Sequence, residues 1–197
     1  MPCVKTFLLA GLPGFVIPAL AQAADPEACK AVRFADVGWT DITATTALTS
    51  RILEGLGYAP TNQVLAVPVT YASLKNKDID VFLGNWMPTM EADIAPYRDA
   101  GTVDTVRTNL EGAKYTLAVS QSLADAGLTD FDDIAEFRDQ LDGRIYGIEP
   151  GNDGNRLIQD MIEADMFGLG GFQLVESSEQ GMLAQAARAE RQGEGIV

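Results

Sequence analysis

Trp39 and Trp86 each fall just past a segment that reads as a β-strand, and Tyr115 opens another such segment. Ligands of open parallel sheets bind beyond the carboxyl ends of the strands. These three rings could therefore face one cleft, although any single tryptophan is also ordinary core material. Aromatic faces around a cleft in an acidic protein suit a quaternary ammonium ion. Such an ion has no N–H, so hydrogen bonds and close ion pairs to its head are unavailable. Its diffuse charge is held by π faces and dispersion, at ~0.5–2 kcal/mol per well-placed ring. Asp41, two residues after Trp39, reads as a helix N-cap; one carboxylate oxygen can cap while the other accepts from a ligand hydroxyl. Asn152 stands in the turn 150–154 ahead of another helix and is a turn or cap residue by type. Asp78 with Asp80, and Asp132 with Asp133, read as solvated faces rather than as the paired carboxylates of a hydrolase.

The chain contains no histidine. That excludes Ser-His-Asp and Cys-His catalysis and histidine-ligated metal sites. There is no Walker loop, dinucleotide glycine fingerprint or C-x-x-C. Catalytic residues, metal ligands and a cofactor are accordingly not expected.

The elements that must position the aromatic residues alternate between strand and helix. Residues 31–37 read as a buried strand and 41–56 as a helix, with Ile42, Leu48, Ile52, Leu53 and Leu56 recurring near a 3.6 period and Gly57 as its stop. Strands are expected at 64–69 and 79–83, with a short helix at 71–75 between them. The segment 87–97 is ambiguous, with a helical leaning. Short strands are expected at 103–107 and 115–119, with a crossover into a second lobe at 109–112. Then follow a helix at 131–141 capped by Asp130, a strand at 144–148, a helix at 153–165, a strand at 172–175, a helix at 178–191 and a strand beginning at 195–197. Such alternation predicts βαβ units and a mainly parallel sheet.

The N-terminus carries Lys5, an apolar run over 7–20 and the small-x-small exit at 21–23. This reads as a secretory signal peptide, cleaved after Ala23 or, as the alternative, after Ala21. Prolines at 13 and 18 and the short run argue against a transmembrane helix. The formal net charge is −14; removing residues 1–23 takes one lysine and leaves 13 basic against 28 acidic residues, or −15. Such a chain repels nucleic acid and anionic lipid, and favours a cationic ligand. A hydrophobic fraction of 47% marks it as globular. With Cys3 removed, Cys29 is left unpaired in an oxidising compartment.

Residues 34–41 (Phe-Ala-Asp-Val-Gly-Trp-Thr-Asp), 83–88 (Leu-Gly-Asn-Trp-Met-Pro), Lys114-Tyr115 and 149–152 (Glu-Pro-Gly-Asn) resemble the glycine betaine/choline/proline-betaine binding proteins of ABC importers. The resemblance covers residues 28–197. It implies an α/β fold of the periplasmic binding protein type II kind, two lobes with a hinge and a ligand cleft. Lobe I is then expected over 24–109 and lobe II over 110–197, the chain ending before the fold is complete. It also implies an aromatic box of Trp39, Trp86 and Tyr115, with Asp41 near the hydroxyl end of choline and Asn152 as a polar contact from lobe II. A further box tryptophan and a disulfide partner for Cys29 are implied downstream. The implied role is a non-enzymatic periplasmic receptor that delivers choline to an inner-membrane ABC permease. Glycine betaine is the alternative ligand; a carboxylate-based hydrolase or lyase and a chemosensor ectodomain are rivals of other classes.

Overall fold

The computed structural model describes residues 25–197. The expected signal peptide and Cys3 lie outside the described residues.

Two separate parallel sheets each carry their own core. The first has the order β2-β1-β3, with β1 at Ala31–Asp36, β2 at Ala59–Val64 and β3 at Val81–Phe82. Ala31 pairs with Ala59 and Asp36 with Val64, while Phe34 and Ala35 pair with Val81 and Phe82. The central strand is the buried one: Phe34 and Ala35 are at most 1% exposed. Helices α1 (Thr40–Gly55), α2 (Val67–Asn76) and α3 (Glu91–Asp99) cover this sheet. Their shared core joins Val37, Trp39, Ile42, Tyr71, Met90 and Ile94. Gly57 follows α1 at φ +89°, the left-handed stop that glycine supplies without a Cβ penalty.

The second sheet pairs β4 (Arg144–Tyr146) with β5 (Gln173–Val175), flanked by α4 (Gln121–Asp125), α5 (Asp153–Glu163) and α6 (Glu179–Gln192). Leu123, Ile134, Ile145, Ile158, Leu169 and Phe172 form its core.

Five expected elements come out differently. The strand expected at 64–69 is instead the end of β2 and the first turn of α2. Pro68 sits in that turn, where its missing N–H costs nothing. The strand itself is the polar Ala59–Val64 run, tolerated because β2 is an edge with mostly exposed side chains. The helix expected at 131–141 is a 3-10 helix over Phe131–Phe137. Phe131, Ile134 and Phe137 are three apart, the repeat of a 3-10 turn rather than an α-turn. Its expected cap holds: Asp130 accepts from the Phe131 amide at 2.7 Å, and Asp133 completes the reciprocal box. No strand forms at 103–107 or 115–119 among the described residues. Val106 is 93% exposed. Beside 115–119 lies a cavity of about 410 Å³ rather than a pairing strand. At 195–197 no strand is assigned either, yet the Ile196 and Val197 carbonyls accept from the Ser120 and Tyr146 amides at 3.1 and 2.8 Å.

Gly84, in the turn after β3, lets that turn approach the core. A Cβ there would lie 2.8 Å from the Phe82 ring and 3.0 Å from Ile42. Gly84→Ala is expected to destabilise the protein by about 1–3 kcal/mol through overpacking, read as a lower urea midpoint with unchanged slope. An unaltered midpoint would show that the Phe82 ring yields freely.

Candidate functional site

The β1–α1 turn sets Trp39. β1 ends at Asp36, and Gly38 turns the chain at φ +85°. Buried Asp36 holds the turn: its Oδ1 accepts from the Gly38 amide at 2.8 Å and the Thr43 hydroxyl at 2.9 Å. Trp39 occupies the N-cap position of α1 and is 6% exposed. The expectation that Asp41 caps this helix is therefore corrected. The helix starts one residue earlier, so Asp41 is its second residue. It is exposed, and its carboxylate makes no cap among the described residues. There it still complements the positive end of the helix dipole.

Trp86 follows β3 and packs on the same core as Trp39 and Tyr71. Its amide donates to the Met90 sulfur at 3.1 Å. Tyr71 stacks on Tyr97 at 5.7 Å between centroids, and its hydroxyl donates to Asn85 Oδ1 at 2.6 Å.

Tyr115 approaches from the second lobe. Its ring is largely exposed, but its hydroxyl is drawn against the start of α5, where it donates to Asn152 Oδ1 at 3.4 Å. A methyl group at Gly154 would fall on that hydroxyl. Withdrawal from water, with the Asp153 and Glu149 charges behind it, pushes the Tyr115 phenol up to about 12. Asn152 is 2% exposed and caps α5 as expected, accepting from the Gly154 amide at 2.7 Å. Its Nδ2 lies 3.5 Å from Glu149 Oε1.

Glu149 is the residue that sequence reasoning passed over. Its Oε1 accepts from the Trp39 indole N–H at 2.9 Å, across the junction of the two lobes. Trp39, Glu149, Asn152 and Tyr115 thus form one hydrogen-bonded chain, with Trp86 on the shared core. Asp41 stands outside this network.

Other side chains tie the lobes together. The Arg156 guanidinium of α5 grips Asp93 of α3 with two bonds of 3.1 and 2.9 Å. The Glu179 carboxylate of α6 accepts from the Thr40 amide at 3.0 Å and the Thr40 hydroxyl at 2.6 Å. Gln180 donates to the Gly38 carbonyl, and Gly151 sits where a Cβ would come 3.4 Å from Pro68. These partners are 63 and 139 positions apart, so no local motif could announce them. Among the described residues no cluster of three or more His, Cys, Asp or Glu is placed to hold a metal. Cys29 is an exposed free thiol, and no described helix is long and apolar enough to cross a membrane.

Residues 30–197 match the family described as the substrate binding domain of ABC-type glycine betaine transport system. An uncharacterized protein, ORF1, of Chromohalobacter salexigens is 55% identical over 143 residues, 73% of this chain and 92% of that protein. Among solved structures, an ABC-transporter choline binding protein in complex with choline is 69% identical with a TM-score of 0.83 over 87% of this chain. An ABC-transporter choline binding protein in an unliganded semi-closed conformation, also 69% identical, superposes at 0.77 over 86%. The chain spans 60% and 59% of the lengths of those two structures. The architecture is that of a type II periplasmic binding protein. The chain belongs to the family of substrate-binding domains of ABC-type glycine betaine transport systems.

Proposed function

We propose that this protein is the solute receptor of an ABC importer and that its ligand is choline. The observation that carries this reading is the chain Trp39–Glu149–Asn152–Tyr115, which joins aromatic residues of both lobes through one carboxylate and one amide. A diffuse cation is matched by such faces. A carboxylate ligand would want free cationic donors, and Arg156 is already committed to Asp93. Trp39, Trp86 and Tyr115 form the box walls, Asn152 offers its amide, and Asp41 adds negative charge at the mouth. Kinship to a choline binding protein at 69% identity supports the same choice. The boundary between lobes falls at 109/110, where Asn109 still donates to the Leu83 carbonyl of the first lobe at 3.0 Å. The protein acts as a receptor rather than a catalyst. It is exported to the periplasm with loss of residues 1–23, and a membrane permease of the importer receives its ligand.

Intrinsic fluorescence tests the reading, because both tryptophans are assigned to the box. Choline is expected to change the emission saturably, and glycine betaine to do so more weakly. Asp41→Asn is expected to weaken choline several-fold and leave betaine unchanged or improved, since a carboxylate attracts one ligand's end and repels the other's. Emission indifferent to choline in folded protein would return the tryptophans to plain core packing. Equal losses for both ligands would remove Asp41 from the site.

A further inference from the structure

Asp153 is the first residue of α5, the helix whose Arg156 reaches Asp93 of the first lobe. It is 1% exposed, and its Oδ2 is buried without a hydrogen-bond partner among the described residues. A carboxylate taken out of water in this way is strongly unfavourable unless donors or an opposite charge answer it. Both are partly engaged elsewhere. The free amides of the first turn, Gly154 and Asn155, are directed to the Asn152 side chain. Arg156, three residues on, gives two bonds to Asp93. Asp93, Asp153 and Asp160 all act on that same guanidinium. The junction therefore carries more negative than positive charge.

The direction in which this charge acts is visible from its neighbours. Asn152 receives the Tyr115 hydroxyl, and Gly154 abuts it. Asp153 thus sits between the two residues that seat Tyr115. Burial above all, then the charges of Asp93 and Asp153, raises the proton affinity of Tyr71, in the core that holds Trp39 and Trp86. The carboxylate is accordingly buried at the end of α5 that holds the Tyr115 hydroxyl.

We infer that Asp153 is the buried counter-charge of the cleft: its carboxylate is left uncompensated in the empty protein and is neutralised when a quaternary ammonium ion enters between the aromatic walls. This rests on the cation-box reading above and adds to it the source of the charge. The aromatic faces set shape and dispersion, Asp41 acts from the exposed mouth, and Asp153 acts from the interior, where the effective dielectric is lower and each charge counts for more. A residue in that role trades stability of the empty protein for affinity.

Asp153→Asn keeps the shape and removes the charge. The experiment measures thermal midpoints of the empty protein, and affinities for choline and for its neutral carbon isostere 3,3-dimethylbutan-1-ol. The expected result is a higher midpoint, a loss of choline affinity on the order of tenfold or more, and an unchanged affinity for the isostere. Phenol titration supplies a second readout without ligand: the Tyr115 transition should move down from about 12 toward its ordinary value. If the amide disturbs the α5 start, Asp153→Ser reads the same choline-to-isostere ratio. A lowered midpoint with equal loss of both ligands would make Asp153 a structural residue and overturn the inference. So would an unchanged ratio in a wild-type protein that prefers choline; the cation box would then survive without Asp153. Equal binding of choline and isostere by wild-type protein would instead sink the cation box, and the counter-charge with it.

Discussion

Trp39→Ala is expected to reduce choline affinity by at least a hundredfold and to destabilise the fold as well. Three losses coincide at this residue. One wall of the aromatic box goes, worth about 1–2 kcal/mol for a desolvated cation. The indole N–H that reaches Glu149 at 2.9 Å goes, and with it one tie between the lobes. A side chain 6% exposed is deleted from the first-lobe core, which for tryptophan costs about 3–5 kcal/mol of stability. The first two alone convert to roughly a hundredfold or more, taking the hydrogen bond to a charged acceptor at about 1.5–3 kcal/mol. Trp39→Phe separates the terms. It keeps a π face and most of the packing but cannot donate to Glu149, so a loss of about tenfold is expected with a small change in thermal midpoint. Calorimetric titration and thermal unfolding of both variants check this. Wild-type affinity in Trp39→Ala, on protein that is still folded, would remove the indole from the site.

What the sequence made legible, and what it hid, divides along the range of the interactions. β1, α1, β4, α5, β5 and α6 were readable to within a few residues, because each is announced locally by an apolar run, a 3.6-residue period, or a stop or cap such as Gly57 or Asn152. The strand at Ala59–Val64 was not, because an edge strand carries polar residues and the apolar valines beside it belong to a helix. The candidate site was legible in its residue types but not in its wiring. Two tryptophans past two strands pointed to one cleft, and β1 and β3 do lie side by side, with Trp39 and Trp86 on one core. Glu149 and Asp153 flank Asn152 in a stretch already singled out, yet nothing local says that one reaches Trp39 or that the other is buried with an orphaned oxygen. Asp41 shows the converse: a favourable cap type at a helix start, while the turn is held by Asp36 from across it.

The ties Trp39–Glu149, Thr40–Glu179 and Arg156–Asp93 join residues of the two lobes. A ligand shifts an equilibrium between open and closed lobes only by its differential affinity for the closed state. The proposed box would supply that difference, because it takes Trp39 from one lobe and Tyr115 from the other.

Arg156→Met is expected to speed choline release about tenfold while slightly speeding its capture. The Arg156 side chain is 39% exposed and Asp93 16% exposed, so their pair lies between the surface and buried limits. Its two-pronged geometry places it at about 1–2 kcal/mol after allowance for solvent screening. That energy is present only with the lobes together, so its loss opens the cleft and shortens the residence of the ligand. An opposing effect follows from charge. Without the guanidinium, Asp93 loses its partner, and a cation is drawn in more strongly. At a separation of about 8 Å and a partly hydrated dielectric near 60, that attraction is about 0.7 kcal/mol, roughly threefold. Closure therefore wins, and the equilibrium affinity should fall several-fold despite the faster entry. Stopped-flow fluorescence resolves the two rates. The entry rate alone should depend on salt, since steering is screened beyond about 10 Å at 0.1 M. Asp93→Asn should reproduce the faster release without the faster entry, because it removes the same tie but leaves the cation in place. A release rate unchanged in both variants would mean that Arg156–Asp93 is a surface pair with no part in closure.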